Sequence, residues 1–75
     1  MEIIKIDTEY ITLAQLLKLT DLINTGGEAK YFLLENKVYL NDVLEDRRGK
    51  KLYPGDKIKI NNLRFVISKW LKKLN

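Results

Sequence analysis

The segment Arg-Arg-Gly-Lys-Lys-Leu-Tyr-Pro-Gly-Asp-Lys-Ile-Lys-Ile occupies residues 47 to 60 and carries the clearest structural signal in the chain. Its last four residues alternate between Lys and Ile, which is typical of a strand with one face in the core and one in water. The Tyr-Pro-Gly-Asp before them predicts a turn, because Pro presets φ and Gly tolerates left-handed backbone. Leu52 interrupts the basic run and is expected to anchor it. The segment therefore predicts a basic hairpin that leads into a sheet.

The same segment divides the chain by charge. Residues 1 to 46 contain four Lys or Arg and nine Asp or Glu, whereas residues 47 to 75 contain ten and one. The formal net charge of +4 hides this polarity. A local concentration of cations attracts polyanions, so we expect nucleic acid as the partner. A solvated basic face without a partner is the alternative interpretation.

A first helix is predicted from residue 13 onward. Thr12 and Gln15 have the spacing of a capping box, and Ile11 with Leu16 has that of a hydrophobic staple. Lys18 lies off the apolar stripe and should face solvent. The helical spacing places three side chains on the inward face: Leu13, Leu16 and Leu17.

A second helix is predicted from Thr25, where Glu28 completes another capping box. Its inward stripe is Ala29, Phe32 and Leu33. The helix should run to about residue 35 and end on Asn36 as a left-handed cap.

Gly26 and Gly27 in the first turn of that helix need an explanation, because glycine costs a helix about 1 kcal/mol relative to alanine. Close backbone approach by a partner is one explanation. Close crossing of the two helices, or a turn that needs positive φ, is the other. The residues alone do not decide between them.

The remaining segments predict strands. Residues 2 to 6 form a short strand, residues 38 to 44 a tight hairpin with Asn41-Asp42 at its turn, and residues 63 to 67 a last strand. Residues 68 to 75 are expected to coil into a short helix. The prediction is a single α+β domain over residues 1 to 75, with two packed helices against a small, mostly antiparallel sheet.

Composition excludes several classes of function. The chain has 75 residues, which is enough for one core, and it contains neither His nor Cys, so common general bases, thiolates and metal ligands are missing. Asp42, Glu45 and Asp46 form the only acidic cluster and are expected to orient the neighbouring arginines or to stay solvated. Ser68 is the only serine and has no base to activate it. We expect no enzyme activity, no metal and no cofactor.

No membrane contact is expected either. Apolar runs such as residues 31 to 34 are far shorter than the roughly 20 residues that span a bilayer. The N-terminus lacks the pattern of an export signal. These features predict a cytoplasmic protein, and cysteine usage agrees with a reducing compartment.

The order of helix, glycine-containing cap, helix, hairpin and Pro-Gly-Asp turn resembles the RNA-binding domain named after ribosomal small-subunit protein four, also called the alpha-L motif. The resemblance covers residues 12 to 60. It is carried by Leu13 and Leu17, Glu28-Ala29-Lys30, Val38-Tyr39-Leu40-Asn41 and Pro54-Gly55-Asp56-Lys57-Ile58. Gly26-Gly27 with Ala29-Lys30 and the Arg47-Arg48-Gly49-Lys50-Lys51 run are similar to the small stand-alone bacterial members. The resemblance implies a non-catalytic protein that holds structured RNA, such as ribosomal or transfer RNA.

Two family contacts are absent here. The family often begins its first helix with Arg-Leu-Asp, where this chain has Thr12-Leu13-Ala14, and often has Arg where this chain has Gly26. Binding should then shift toward the remaining cations, with phosphate at the second helix start near Lys30. If about four phosphates are contacted, log K should fall with log salt at a slope of roughly −3 to −4. The candidate RNA-binding residues are Lys18, Gly26, Gly27, Lys30, Arg47, Arg48, Lys50 and Lys51.

Other residues are less specific. Tyr31, Tyr39, Tyr53 and Trp70 are expected at the core or its edge; stacking on bases is the alternative, and it is favoured more for Tyr31 and Tyr53 than for Tyr39 and Trp70. Asn41 is expected to bond its own backbone at the hairpin turn and not a base edge. DNA in place of RNA is a further possibility, since backbone contacts alone do not separate them. The alternative function is a protein-interaction adaptor, in which the basic segment meets an acidic partner and a tail carrying Trp70, Leu71 and Leu74 packs into its groove.

Overall fold

The computed structural model describes residues 1–71 and shows two helices packed on a mostly antiparallel sheet. In chain order the elements are β1 (Glu2–Ile6), β2 (Ile11–Thr12), α1 (Leu13–Leu19), a 3-10 turn (Gly26–Glu28), α2 (Ala29–Glu35), β3 (Val38–Leu40), β4 (Val43–Leu44), β5 (Lys51–Leu52), β6 (Lys57–Ile60) and β7 (Leu63–Lys69). Neither of these helices is long and apolar enough to cross a membrane.

The main sheet has five strands in the order β1-β7-β6-β3-β4. Three of its four pairings are antiparallel, and only β1 and β7 run parallel. Since the helices and the mostly antiparallel sheet share one core, the predicted α+β class is confirmed.

The core lies between the inner face of this sheet and the two helices. Leu16 and Leu17 of α1 are fully buried, as the helical spacing predicted. The capping box of α1 is also present, with Gln15 N–H donating to Thr12 Oγ1 and Thr12 N–H donating to Gln15 Oε1. From the sheet, the buried side chains are Ile6, Val38, Ile58, Ile60, Phe65 and Ile67.

The predicted basic hairpin at residues 47 to 56 is wrong. The run forms a loop that enters β5, and β5 pairs with β2 to make a separate two-stranded sheet. Ile11 lies opposite Leu52, and both side chains are buried. Leu52 thus anchors the basic run as expected, but its strand partner comes from a part of the chain some 40 residues away.

The second helix begins later than predicted, and its capping box is absent. Residues 26 to 28 are a 3-10 turn, and Thr25 makes no hydrogen bond that caps the backbone. Glu28 instead accepts from Asn24 N–H and from the Thr25 hydroxyl, both at 3.4 Å. Asn36 is extended at φ −129° and not left-handed; it closes the helix by donating its side-chain amide to Phe32 O.

The predicted C-terminal helix is wrong at its start. Ser68 and Lys69 belong to β7, and Trp70 and Leu71 follow without regular structure. Trp70 N–H donates to Ile6 O, so the parallel pairing of β1 and β7 continues to this point. The rest of the predicted helix, with Leu74, lies outside the described residues.

Two turns at one end of the sheet are joined by Asn41. The Asn41-Asp42 turn has positive φ at both residues, 49° and 70°, as tight hairpins require. The predicted bond from Asn41 to its own local backbone is wrong. Its side chain accepts from Lys57 N–H at 2.9 Å and donates to Asp56 Oδ1 at 3.0 Å. The Pro-Gly-Asp turn, with Gly55 at φ 97°, is thereby held against the hairpin.

We predict that Asn41→Gly lowers the free energy of unfolding by about 1 to 2 kcal/mol, since two hydrogen bonds are lost while glycine keeps the positive φ. Asp42→Gly is the matched control. The Asp42 side chain makes no hydrogen bond within residues 1–71, so its replacement should leave stability unchanged or slightly raised. Urea denaturation of both variants measures this. Equal stability of Asn41→Gly and the wild type would show that the two turns do not depend on this side chain.

Candidate nucleic-acid interface

A shallow groove of about 580 Å³ runs between α2 and the loop that follows β4. The groove lies on the helix side of the protein and is open to solvent. Its lining residues are Lys30, Leu33, Leu34, Asp46, Arg47, Arg48 and Gly49. The structure therefore brings together Lys30, Arg47 and Arg48, which are up to 18 residues apart in the sequence.

The first turn of α1 positions this loop. Ala14 N–H donates to Arg48 O and Leu13 N–H donates to Lys50 O, both at 2.9 Å. The first N–H groups of a helix have no partner within the helix, so they must be satisfied from outside. Here the loop backbone satisfies them. The start of α1 is consequently closed to an anion, and the loop carrying the arginines is fixed to the core.

Glu45 orients the first arginine of the loop. Its carboxylate accepts from Arg47 Nε at 2.9 Å, from Arg47 Nη2 at 3.0 Å and from Arg47 N–H at 3.0 Å. The Glu45 side chain is buried, whereas that of Arg47 is 69% exposed. Hydrogen bonding from the guanidinium holds the pKa of Glu45 below its usual value, although burial acts in the opposite direction. The same contact raises the pKa of Arg47.

The free positive charge of the groove comes mainly from two other residues. Lys30 and Arg48 are exposed, and within residues 1–71 the Glu45–Arg47 contact is the sole ion pair. Asp46 also lines the groove and opposes an anionic ligand. The groove therefore combines two unpaired cations, one paired arginine and one carboxylate, and it is moderately positive.

Gly26 and Gly27 precede Lys30 by four and three residues and lie in the 3-10 turn at the start of α2. Neither a close crossing of the two helices nor a positive φ explains why these positions are glycine. A Cβ at Gly26 would meet nothing within 4 Å, and one at Gly27 would reach only Thr25 Oγ1 at 4.0 Å. Gly55 is the one glycine of residues 1–71 with positive φ. The space above these two glycines is open to solvent.

Five of the eight candidate residues do not line the groove: Gly26 and Gly27, described above, and the lysines at positions 18, 50 and 51. Lys18 is exposed in the last turn of α1. Lys50 is half-buried, and its carbonyl contacts the start of α1. Lys51 lies in β5 with its Nζ 4.8 Å from the centre of the Tyr10 ring, a cation–π contact outside the groove. Lys18 was expected to line the groove from the end of α1, and Lys50 and Lys51 adjoin the arginines in the sequence, but the fold places all three outside the groove.

The aromatic side chains are also distributed away from the groove. Tyr53 packs against Tyr10, with ring centroids 5.7 Å apart and a tilt of 50°. Tyr31 is exposed on α2, and Tyr39 is half-buried on the sheet. Trp70 was expected at the core but is 55% exposed, with Lys5 Nζ 5.1 Å from its ring. The sequence did not identify Tyr10, because no local pattern predicts its contact with Tyr53 beside the β2–β5 sheet.

The three acidic residues of the predicted cluster take different positions in the structure. No group of three Asp or Glu side chains that could hold a metal ion occurs within residues 1–71. Asp42 lies in the hairpin turn and Asp46 in the groove, while Glu45 binds Arg47. The expectation that this cluster orients an arginine is met by Glu45.

Comparison with known proteins agrees with this architecture. A family model described as "S4 domain" matches residues 4–68. The chain is 58% identical over 57 residues to a protein of Bacillus subtilis named "Probable ribosome maturation protein RlbA", a match that covers 76% of this chain and 80% of that protein. No solved structure matches the chain significantly. The family match extends over most of the sequence and confirms the resemblance carried by its motifs, so the chain belongs to the S4 domain family.

Proposed function

We propose that the protein binds structured RNA through the groove between α2 and the loop after β4, and that it acts without catalysis in the maturation of ribosomes. The observation that carries this proposal is the convergence of Lys30, Arg47 and Arg48 on one surface. Membership of the S4 domain family supports RNA as the ligand, and the name of the Bacillus subtilis relative supports the cellular process.

Each cation of the groove has a distinct part in this proposal. Lys30 and Arg48 are exposed and unpaired within residues 1–71, so they are available to phosphate, lysine as a point charge and arginine as a two-pronged donor. Arg47 keeps one terminal nitrogen free while Glu45 fixes its direction. Gly26 and Gly27 leave room for a phosphate backbone beside Lys30. Because the 3-10 turn and α2 are short, side-chain charge and not the helix start carries the attraction.

Recognition by this site would depend on RNA shape. Phosphate contacts position a protein but do not read sequence, and a wide shallow RNA groove presents backbone and 2′-hydroxyl groups. A non-catalytic role is proposed because the sequence contains neither His nor Cys, and because the acidic residues nearest the groove are Glu45, which binds Arg47, and the exposed Asp46. If the protein acts in ribosome maturation, its structured RNA ligand would be ribosomal RNA.

We predict that Lys30→Glu and Arg48→Glu each weaken binding to purified ribosomal RNA about tenfold or more in moderate salt. Each variant replaces a cation that contacts phosphate with an anion that repels it. Asp46→Asn should have the opposite effect and tighten binding, since it removes the carboxylate of the groove. Filter binding with labelled RNA measures all three variants.

Lys5→Glu is the matched control for these variants. It makes the same change of charge on an exposed residue of β1, outside the groove, and should weaken binding far less. Circular dichroism should show that every variant remains folded. Wild-type affinity of both Lys30→Glu and Arg48→Glu would remove the groove from the binding surface.

We also predict the contribution of the groove to the salt dependence. Replacing Lys30, Arg47 and Arg48 together by Gln should reduce the magnitude of the slope of log K against log salt by about 2 to 3. Each phosphate contact contributes about 0.7 to 0.9 to this slope, and three contacts are removed. Titrations at several salt concentrations measure the slope. A slope identical to that of the wild type would mean that the three cations contact no phosphate.

The adaptor function remains the second candidate, because Trp70 and Leu71 are 55% and 84% exposed at the end of the described chain. An adaptor would be isolated free of nucleic acid, would not bind ribosomal RNA, and would capture a protein from nuclease-treated lysate in a manner abolished by Trp70→Ala. The RNA titrations above therefore separate the two functions.

Glu45→Gln tests how the loop is held. The pKa of Glu45 is lowered in the folded chain, so its carboxylate stabilises the fold at neutral pH, and this contribution disappears as the pH falls through the folded-state pKa. We expect the variant to melt several degrees below the wild type at neutral pH and to converge with it in acid. Asp46→Asn, which removes a carboxylate without an ion pair in residues 1–71, should change the melting temperature less. A difference that does not vary with pH would exclude this role for the carboxylate.

A further inference from the structure

The outer face of the main sheet, turned away from both helices, carries a second group of cations. Side chains alternate between the two faces of a strand. In β6, Ile58 and Ile60 are buried in the core, so Lys57 and Lys59 point outward, and both are exposed. This face is on the opposite side of the sheet from the groove.

Neighbouring strands continue the pattern across the face. Lys59 lies directly opposite Arg64 of β7 on one side and opposite Tyr39 of β3 on the other. These side chains surround an open depression of about 500 Å³. Its lining residues are Met1, Tyr39, Asn41, Asp42, Lys57, Ile58, Lys59 and Arg64.

The arrangement of charge on this face is unfavourable for the isolated protein. Like charges directly opposite each other on adjacent strands are destabilising, and Lys59 and Arg64 form such a pair. Within residues 1–71 none of Lys57, Lys59 and Arg64 forms an ion pair with an acidic side chain. An anionic ligand would relieve this repulsion.

We propose that this outer face holds a second segment of RNA, so that the protein contacts RNA on both sides of its sheet. Lys57, Lys59 and Arg64 would contact phosphates, and the half-buried Tyr39 ring beside them would support a base or a sugar. This inference rests on the proposed function, since it takes RNA as the ligand of the groove.

The topology favours RNA over an acidic peptide as the occupant. Peptides commonly bind a sheet by adding a strand to a free edge. The depression is centred on β6, which is paired with β7 on one side and with β3 on the other, so its backbone offers no free edge. What remains is three cationic side chains and one aromatic ring, against the single carboxylate of Asp42, and this set matches the charged backbone and aromatic bases of RNA.

The two surfaces lie on opposite sides of the main sheet. Arg48 and Lys30 face the groove on the helix side, and Lys59 faces away from the helices. An RNA that contacts both must fold around the protein or supply two separate helices. The protein would then join two segments of a large RNA, which suits a folded ribosomal RNA better than a short hairpin.

The test is the salt dependence of binding to purified ribosomal RNA by the double variant Lys59→Gln, Arg64→Gln. Contacts on the groove alone give a slope of about −2 to −3, whereas three more contacts on the outer face give about −4 to −5. We expect the double variant to reduce the magnitude of the slope by about 1.4 to 1.8. Its melting temperature should equal or exceed that of the wild type, because a like-charge pair is removed.

The control is Lys5→Gln, Lys69→Gln, which removes the same charge from the far end of β1 and β7. Lys5 lies opposite Ser68, which is roughly 13 Å along β7 from Arg64 at about 3.3 Å per residue. This separation exceeds the screening length of about 8 to 10 Å near physiological salt. The control should therefore leave the slope nearly unchanged.

Each remaining outcome overturns the inference in a distinguishable way. A wild-type slope in the double variant, with binding still abolished by Arg48→Glu, removes the outer face and leaves the groove as the RNA site. Equal losses in the double variant and its control show a general effect of charge and no site. If the wild type does not bind ribosomal RNA, the proposed function fails and this inference fails with it. Loss of binding to an Asp-rich and Glu-rich peptide in the double variant, with RNA binding unchanged, assigns the face to a protein.

Discussion

The hydrogen bonds between the first turn of α1 and the backbone of the basic loop are the constraint on which the groove depends. Unsatisfied N–H groups at a helix start must find acceptors, and Leu13 and Ala14 find them in Lys50 O and Arg48 O. The same contact satisfies the helix and fixes a loop that would otherwise be free. The buried pair Ile11 and Leu52 holds the next residues in register. A local requirement of one helix thus determines where distant arginines lie.

The charges of the groove have two separate effects: one ion pair orders a side chain, and the unpaired cations attract an anionic ligand. The buried carboxylate of Glu45 holds the exposed Arg47 side chain in one direction and neutralises part of its charge. The benefit is that less freedom is lost when a ligand binds. Lys30 and Arg48 have no such partner within residues 1–71, so their charges act on the ligand directly. The groove is therefore moderately attractive to an anion, as the proposed contacts with phosphate require.

Sequence reasoning succeeded where a pattern reports contacts between near neighbours. The capping box at Thr12, the alternation in β6 and the positive φ at Gly55 were all predicted, because each depends on residues within one turn or one strand. It failed at Asn36, where an extended residue caps α2 through its side chain, and at the basic run, which pairs with β2 and not with itself. The second capping box failed because Glu28 satisfies Asn24 instead of its own turn.

The amino-acid order alone established the α+β class, the polarity of charge, and the turns at Asn41-Asp42 and Pro54-Gly55. It did not establish which cations act together. Lys30 and Arg48 meet because α1 binds the loop backbone, whereas Lys18 and Lys51 stay apart from them, and Lys59 faces the other side of the sheet. The physical reason is that periodicity is set by bonds between close neighbours in the chain, while a binding surface is set by packing between residues that are distant in it.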